Sequence, residues 1–327
     1  LAVRAKQVPL RQTFYSRAYV KVGRAIATAA VAFLALTHCA RRPATESPDA
    51  ARARAFSSVL HLNGGPHRGG SGVRVADGLV LTAAHCVLGL DGAQPVSSFT
   101  TRVAGAEYRL DVAETADFAP ALGRMTDFAV LSATDVAASV PVAQLATADE
   151  LRAAESVGDG LLEKSVEVWV AGYSTKSARA PPREAIPGQQ LFASQGWLKS
   201  RSAFRLATYL AVKQGFILDD RFGPPPAAVT FGDLEWQSLS ETGPHVLYEN
   251  YAAAGAPLFY HSADYAPGAS GGGVFLANGH LLGIIPLGTT AGSRVQGYQG
   301  FGQAFRVDVI CRKSKVLAAV PGCAAFR

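Results

Sequence analysis

From about Phe56 to Val142 the chain is written in short apolar runs, each closed by a turn signal. That spacing is the language of β-sheet, in which strands need only four to eight residues before the chain reverses. Val73-Arg74-Val75-Ala76-Asp77-Gly78-Leu79-Val80-Leu81 is the clearest case, two strand-like runs around an Asp-Gly turn. The pattern breaks once, at Ala146 to Gly158, where Thr147 with Glu150 forms a capping-box pattern and Gly158 closes the turn, so a short helix is expected between two halves. Strand character returns at Val166-Glu167-Val168-Trp169-Val170-Ala171-Gly172-Tyr173, with Val166, Val168 and Val170 on one face. It returns again at Leu281 to Leu287 and near Phe301 to Val309. Between Ser174 and Ala256 the prolines at 181, 182, 187 and 224 to 226 interrupt any regular element, and about 174–256 reads as inserted loops. The expectation is an all-β chain with short helices, and 327 residues are enough for two compact units.

Charge narrows the function classes. The formal net charge of +6 suggests a nucleic-acid binder until its location is considered. Arg4, Lys6, Arg11, Arg17, Lys21 and Arg24 all precede an apolar run, and no acidic residue occurs before Glu46. Beyond residue 40 the remaining 25 basic residues balance the 25 acidic ones, so no phosphate-binding footprint is left and no nucleic-acid partner is expected. With 49% hydrophobic and 17% charged residues, the chain has the apolar content of a folded domain and not of a disordered one.

Residues 1–40 read as a signal peptide or targeting segment, because the run Ala25 to Thr37 has the length of a signal-peptide core and is short for a membrane span. The mature chain is therefore expected to be exported, periplasmic or secreted, with no membrane span. Leu36-Thr37-His38-Cys39 resembles a bacterial lipoprotein box, but His38 stands where that box needs a small residue, which disfavours a lipid on Cys39. Residues 41–55 read as a linker, 56–145 as the first β unit, 146–310 as the second with its insertion, and 311–327 as a C-terminal tail. In an oxidising compartment Cys311 and Cys323 are the expected disulfide pair, and Cys86 is expected to remain a free thiol.

Three segments carry chemistry. Thr82-Ala83-Ala84-His85-Cys86 places a histidine directly after an apolar strand, and Asp127-Phe128-Ala129-Val130-Leu131 places a carboxylate at the mouth of another. Gly268-Ala269-Ser270-Gly271-Gly272 sets a serine in a glycine-rich bend where backbone N–H groups can converge. A nucleophilic serine needs a base, a carboxylate to hold that base in the right tautomer, and donors for the developing oxyanion. Asp117-Phe118-Ala119 repeats the start of the carboxylate segment, but Pro120 stops the strand that should follow, so Asp127 is preferred. The Gly-x-Ser-x-Gly pattern also occurs in α/β-hydrolases, which need an acid and then a histidine after the serine; here His280 comes before Asp308, and that order fails. His61, His67, His245 and His261 are expected on the surface or the rim of a cleft, without zinc-ligand spacing.

Taken together and in this order, the three segments resemble the signatures of the trypsin and chymotrypsin family of serine proteases, in a bacterial-type variant. The resemblance runs from about Phe56 to Val309. It implies two six-stranded antiparallel β-barrels with the active site between them, and a serine endopeptidase acting on proteins or peptides without metal or organic cofactor. It gives Ser270 the role of nucleophile, His85 that of base and then acid, and Asp127 that of orienting the imidazole, with the amides of Gly268 and Ser270 as oxyanion hole.

The departures from the family are equally specific. Ala269 stands where digestive members carry an aspartate that pairs with a freed N terminus, so that activation switch is expected to be absent. Arg68-Gly69-Gly70-Ser71 resembles the segment that normally bears the partner of Cys86, with Arg68 in the partner's place. Pro286 occupies a cleft-strand position usually filled by serine. For the substrate pocket the resemblance points to Asp264, Pro286, Gly288 and Gly302; the offset of Asp264 from Ser270 is that of a basic-residue selector, though bacterial relatives share the offset without the preference. The alternative to an enzyme is a non-catalytic protein that keeps the double barrel as a scaffold and uses 174–256 as a contact surface.

Overall fold

The computed structural model describes residues 46–65, 69–89, 95–119, 124–133, 136, 140–158, 164–174, 190–204, 257–263, 268–286 and 302–327. Two closed barrels account for most of them. The first joins β1 (Val59–Asn63), β2 (Gly69–Ala76), β3 (Leu79–Thr82), β4 (Ser98–Val103), β5 (Ala106–Thr115) and β8 (Ala129–Ser132) in the order β1-β2-β3-β8-β5-β4. The second joins β9 (Glu167–Ser174), β10 (Gln190–Lys199), β11 (Leu258–His261), β12 (Gly273–Leu276), β13 (Leu281–Ile284) and β14 (Gly302–Arg306) in the order β10-β11-β14-β13-β12-β9. Every pairing in both barrels is antiparallel. A two-stranded sheet of β6 (Phe118–Ala119) and β7 (Arg124–Met125) stands apart. This is the chymotrypsin-like double barrel.

Strand alternation explains how the two barrels share one molecule. On β3, Val80 points into the first barrel's own core with Leu62, Phe99, Leu110 and Leu131. Its neighbour Leu81 points the other way and joins Val73, Phe128 and Val130 in a second cluster. That second cluster is continuous with Val168, Val170, Phe275, Leu281, Ile284 and Phe305 of the second barrel. The register Val80↔Leu131 and Leu81↔Val130 keeps each residue on the correct side. β3 and β8 are thus buried on both faces, which is why residues 79–81 and 129–131 read as unbroken apolar runs.

The connections follow the local chemistry. Asp77 and Gly78 form the two-residue turn between β2 and β3, with Ala76 paired to Leu79 and Gly78 at φ +69°. The helix between the barrels, α3 (Ala148–Glu155), carries a complete capping box: Glu150 N–H donates to Thr147 Oγ1, and Thr147 N–H donates to the Glu150 carboxylate.

Three segments differ from the sequence reading. Residues 48–55 are not linker: they form most of helix α1 (Pro48–Ser57), with Ala55 fully buried and Phe56 packed on Trp169 and Phe275. Proline at the helix start and Asp49 in its first turn favour the helix, and the alanines let it lie close on the sheet. The stretch 174–256 is not all insertion, because β10 lies inside it and pairs with β9 from Gln190↔Ser174 to Trp197↔Glu167. Its polar residues, Ser194 and Gln195 among them, mask the strand in the sequence. Residues 175–189 and 205–256 lie outside the described residues. Finally, 311–327 is no loose tail: α4 (Val307–Lys313), a 3-10 turn at Leu317–Ala319 and α5 (Pro321–Ala324) bury Cys311, Leu317 and Cys323.

Candidate active site

The site forms where loops leave the barrel ends. Because β3 and β8 are antiparallel neighbours with Thr82 opposite Ala129, the residues just after β3 and just before β8 emerge at the same end. His85 lies in the first turn of α2 (Ala84–Leu88), and Asp127 lies in the extended chain leading into β8. Their side chains meet: Asp127 Oδ2 is 2.8 Å from His85 Nδ1. Asp127 Oδ1 also accepts the backbone N–H of His85 at 3.0 Å. An ionised carboxylate can only accept, so Nδ1 carries a proton, and in the neutral imidazole Nε2 keeps the lone pair. Asp127 is fully buried, which makes its placement costly unless it is paired in this way.

Burial alone would push the His85 imidazole downward. The charge of Asp127 acts the other way, reinforced by its hydrogen bond and by the neighbouring Cys86 thiol, and the imidazole is held well above its ordinary value. The competing carboxylate is elsewhere. Asp117 is largely exposed and pairs with Arg124 at 3.0 Å, while the next residue, Phe118, lays its ring 6.1 Å from that of His85.

The serine arrives from the second barrel on the bend before β12. In this bend three successive carbonyls are held by hydrogen bonds within the protein. Gly268 O accepts from Ser71 Oγ at 2.9 Å, Ala269 O from Gly272 N–H at 2.8 Å, and Ser270 O from Ser71 N–H at 2.7 Å. In a trans peptide the N–H points opposite to the C=O of the preceding residue, so the Ala269 carbonyl held by Gly272 N–H turns the Ser270 amide the other way. Among the described residues the amides of Gly268 and Ser270 have no hydrogen-bond acceptor. The bend closes through Gly271, whose φ of +78° suits glycine, and a Cβ there would overlap Thr82 Oγ1 and the Ser71 carbonyl. Gly271 N–H donates to Ile285 O and Ile285 N–H to Gly272 O, which ties the bend to the strand extension bearing buried Pro286.

Cys86 connects the two halves of the site. Its sulfur is 3.8 Å from His85 Nε2 and 3.7 Å from Ser270 O, which brings the serine and the histidine to the same corner. Among the described residues no hydrogen bond joins His85 Nε2 to Ser270 Oγ. Cys86 is a free, buried thiol. Gly70 faces it: a Cβ on Gly70 would lie 2.8 Å from Cys86 Sγ and 3.7 Å from its Cβ. Arg68 itself lies outside the described residues, as do Asp264 and Gly288 of the expected pocket. Gly302 opens β14, opposite His261. Cys311 and Cys323 are joined as a disulfide with Cα atoms 5.1 Å apart.

A family model described as a trypsin-like peptidase domain matches residues 70–284, most of the chain. The chain belongs to the trypsin-like peptidase family. Membership supports serine protease activity. No curated protein matches the chain in sequence. Among solved structures it is similar to the Rv3671c protease of M. tuberculosis H37Rv in an inactive form, at 16% identity, 82% of this chain and 93% of that one, TM-score 0.43. It is similar to a serine endoprotease from Yersinia pestis at 16% identity, with 84% and 67% covered and a TM-score of 0.43. The HtrA-type protease AlgW, solved with a decapeptide, gives 18% identity, 80% and 65% coverage and a TM-score of 0.41. The structure brings the expected His85 and Asp127 into contact with the Ser270 bend close by; Ser71 is not expected there from the sequence, because its hydroxyl contacts exist only once the barrels meet.

Proposed function

We propose that the protein is a serine endopeptidase in which Ser270, His85 and Asp127 act as the catalytic triad. The observation that carries this reading is the 2.8 Å contact between Asp127 and His85 Nδ1, which leaves Nε2 as base beside the bend that bears Ser270. Ser270 Oγ attacks the scissile carbonyl while His85 Nε2 takes its proton, and Asp127 stabilises the resulting imidazolium. The carbonyl oxygen becomes an oxyanion that receives the N–H groups of Gly268 and Ser270, a contribution of about 3 to 4 kcal/mol per donor in comparable sites. His85 then protonates the leaving amine, the acyl-enzyme ester forms on Ser270, and water activated by the same histidine releases the product and restores the serine. Substrates are proteins or peptides.

Export accompanies this reading. It rests on the basic and apolar N-terminal segment and on the Cys311–Cys323 disulfide, a bond that persists outside the reducing cytosol. Among the described residues no helix is long and apolar enough to cross a membrane.

The test is covalent labelling with a fluorophosphonate probe. The wild-type protein is expected to label and Ser270→Ala to remain unlabelled. Absence of label on folded wild-type protein defeats the enzyme reading and favours the scaffold alternative.

A further inference from the structure

We infer that Ser71, on the first barrel, is the positioning residue that sets the oxyanion-binding bend of the second. The inference rests on the peptidase reading above and adds to it a residue that does not touch substrate.

Ser71 lies on β2 and is fully buried. All of its polar atoms are engaged, and most reach across to the other barrel. Its Oγ is 2.8 Å from the backbone N of Tyr173 on β9 and 2.9 Å from the carbonyl of Gly268. The Tyr173 N–H can only donate, so it occupies an acceptor site on the hydroxyl. The Gly268 carbonyl can only accept, so it must receive the hydroxyl proton. The hydroxyl is therefore oriented in one way. The backbone N–H of Ser71 donates to Ser270 O at 2.7 Å, and its carbonyl accepts from Thr82 Oγ1 at 2.7 Å.

One residue thus holds the carbonyls on both sides of Ala269, those of Gly268 and Ser270. These carbonyls belong to the Gly268–Ala269 and Ser270–Gly271 peptides, which flank the Ala269–Ser270 peptide, so holding both restrains the Ser270 N–H between them. Ala269 has no side-chain charge with which to hold the bend, and Ser71 supplies the anchor from the opposite barrel. Thr82 completes the anchor, because it is the last residue of β3 and lies three residues before His85. The same hydrogen-bonded unit links the strand that delivers the histidine to the bend that delivers the serine. Removing the hydroxyl takes this partner from the Tyr173 N–H and the Gly268 carbonyl, and the Gly268–Ala269 peptide loses its tether.

The experiment compares wild type, Ser71→Ala and Ser71→Cys in the full chain. Two quantities are read: steady-state kinetics on a peptide substrate, and amide hydrogen exchange at Gly271 and Gly272, which are hydrogen-bonded within the bend. In Ser71→Ala, kcat is expected to fall about 10- to 100-fold with KM within about threefold of wild type, since only the transition state carries the oxyanion. Exchange at Gly271 and Gly272 is expected to rise by about tenfold while β3 and β8 exchange as before. Ser71→Cys, with nearly the same volume but a weaker donor, is expected to fall between wild type and alanine in both readouts. It carries the test by itself should the alanine variant not fold.

A folded variant with kcat within twofold of wild type and unchanged exchange overturns the inference. Faster exchange throughout both barrels, with kcat falling only in proportion to the folded fraction, also overturns it by showing a role in stability alone. Should wild type fail to label with fluorophosphonate while the exchange result holds, the peptidase reading falls and the anchoring of the bend stands.

Discussion

The carboxylate of Asp127 receives two N–H groups from the same residue, the backbone amide of His85 at 3.0 Å and ring Nδ1 at 2.8 Å. The first fixes where the helix turn of His85 begins, and the second fixes the tautomer of its ring. Asp127→Asn keeps the shape but offers an N–H where the ring needs an acceptor. It is expected to lower kcat by about 10⁴ with little change in KM, measured by peptide hydrolysis.

The pH profile follows from the same pair. Catalysis needs neutral His85, and Asp127 outweighs burial to hold the imidazole well above 6.5. The acidic limb of kcat/KM is therefore expected above 6.5, with activity rising through one ionisation as pH increases. The stability linkage has the opposite sign. The folded state binds the proton more tightly than the unfolded chain, so the stabilisation is fully present below the unfolded value near 6.5 and is lost as pH rises through the folded one. Parallel pH titrations of activity and of denaturant midpoint test both signs.

Gly70 and Cys86 are positioned for a staple that the chain lacks. A Cβ on Gly70 would lie 3.7 Å from that of Cys86, within the range of real disulfides. It would also approach Ser270 O at 2.9 Å, so the bend must yield slightly. Gly70→Cys is expected to cross-link to Cys86 on oxidation and to add about 3 kcal/mol to stability. Thiol titration and thermal melting with and without reductant measure it; two free thiols after oxidation would contradict the placement.

At Gly271, on the bend before β12, a side chain would run into the first barrel. Its φ of +78° and the overlap of a Cβ with Thr82 Oγ1 and the Ser71 carbonyl leave no room for Gly271→Ala without moving the bend. The expected cost is about 3 kcal/mol or more in stability, with labelling of Ser270 lost even in the folded fraction. Chemical denaturation and probe labelling together separate these effects.

The disulfide of Cys311 and Cys323 closes the C-terminal helices on one another. Replacing both cysteines by serine is expected to cost about 3 kcal/mol, with activity per folded molecule unchanged, as read by melting temperature and active-site titration. A melting temperature within one degree of wild type would show that the clamp of Glu114 on Ser314, Lys315 and Val316 suffices.

The strands and the three chemistry-bearing segments were legible in the residues themselves because their causes are local. Alternation and the Asp77-Gly78 turn determine a hairpin, Thr147 and Glu150 determine a helix start, and Val130 with Leu131 against Pro120 distinguishes Asp127 from Asp117. Other features depend on what lies opposite in space. Whether residues 48–55 are helix or linker was decided by the face of the second barrel that buries Ala55, and β10 became a strand because β9 offered it a ladder. That Gly70 faces Cys86 follows only from the way β2 passes the helix after β3, and that Ser71 holds the Gly268 carbonyl follows only from bringing together segments 197 residues apart along the chain. Sequence carries the chemistry of each side chain and the period of each strand; only the closed barrels decide which side chains meet, because a hydrogen bond has both a distance and a direction that the chain's order does not encode.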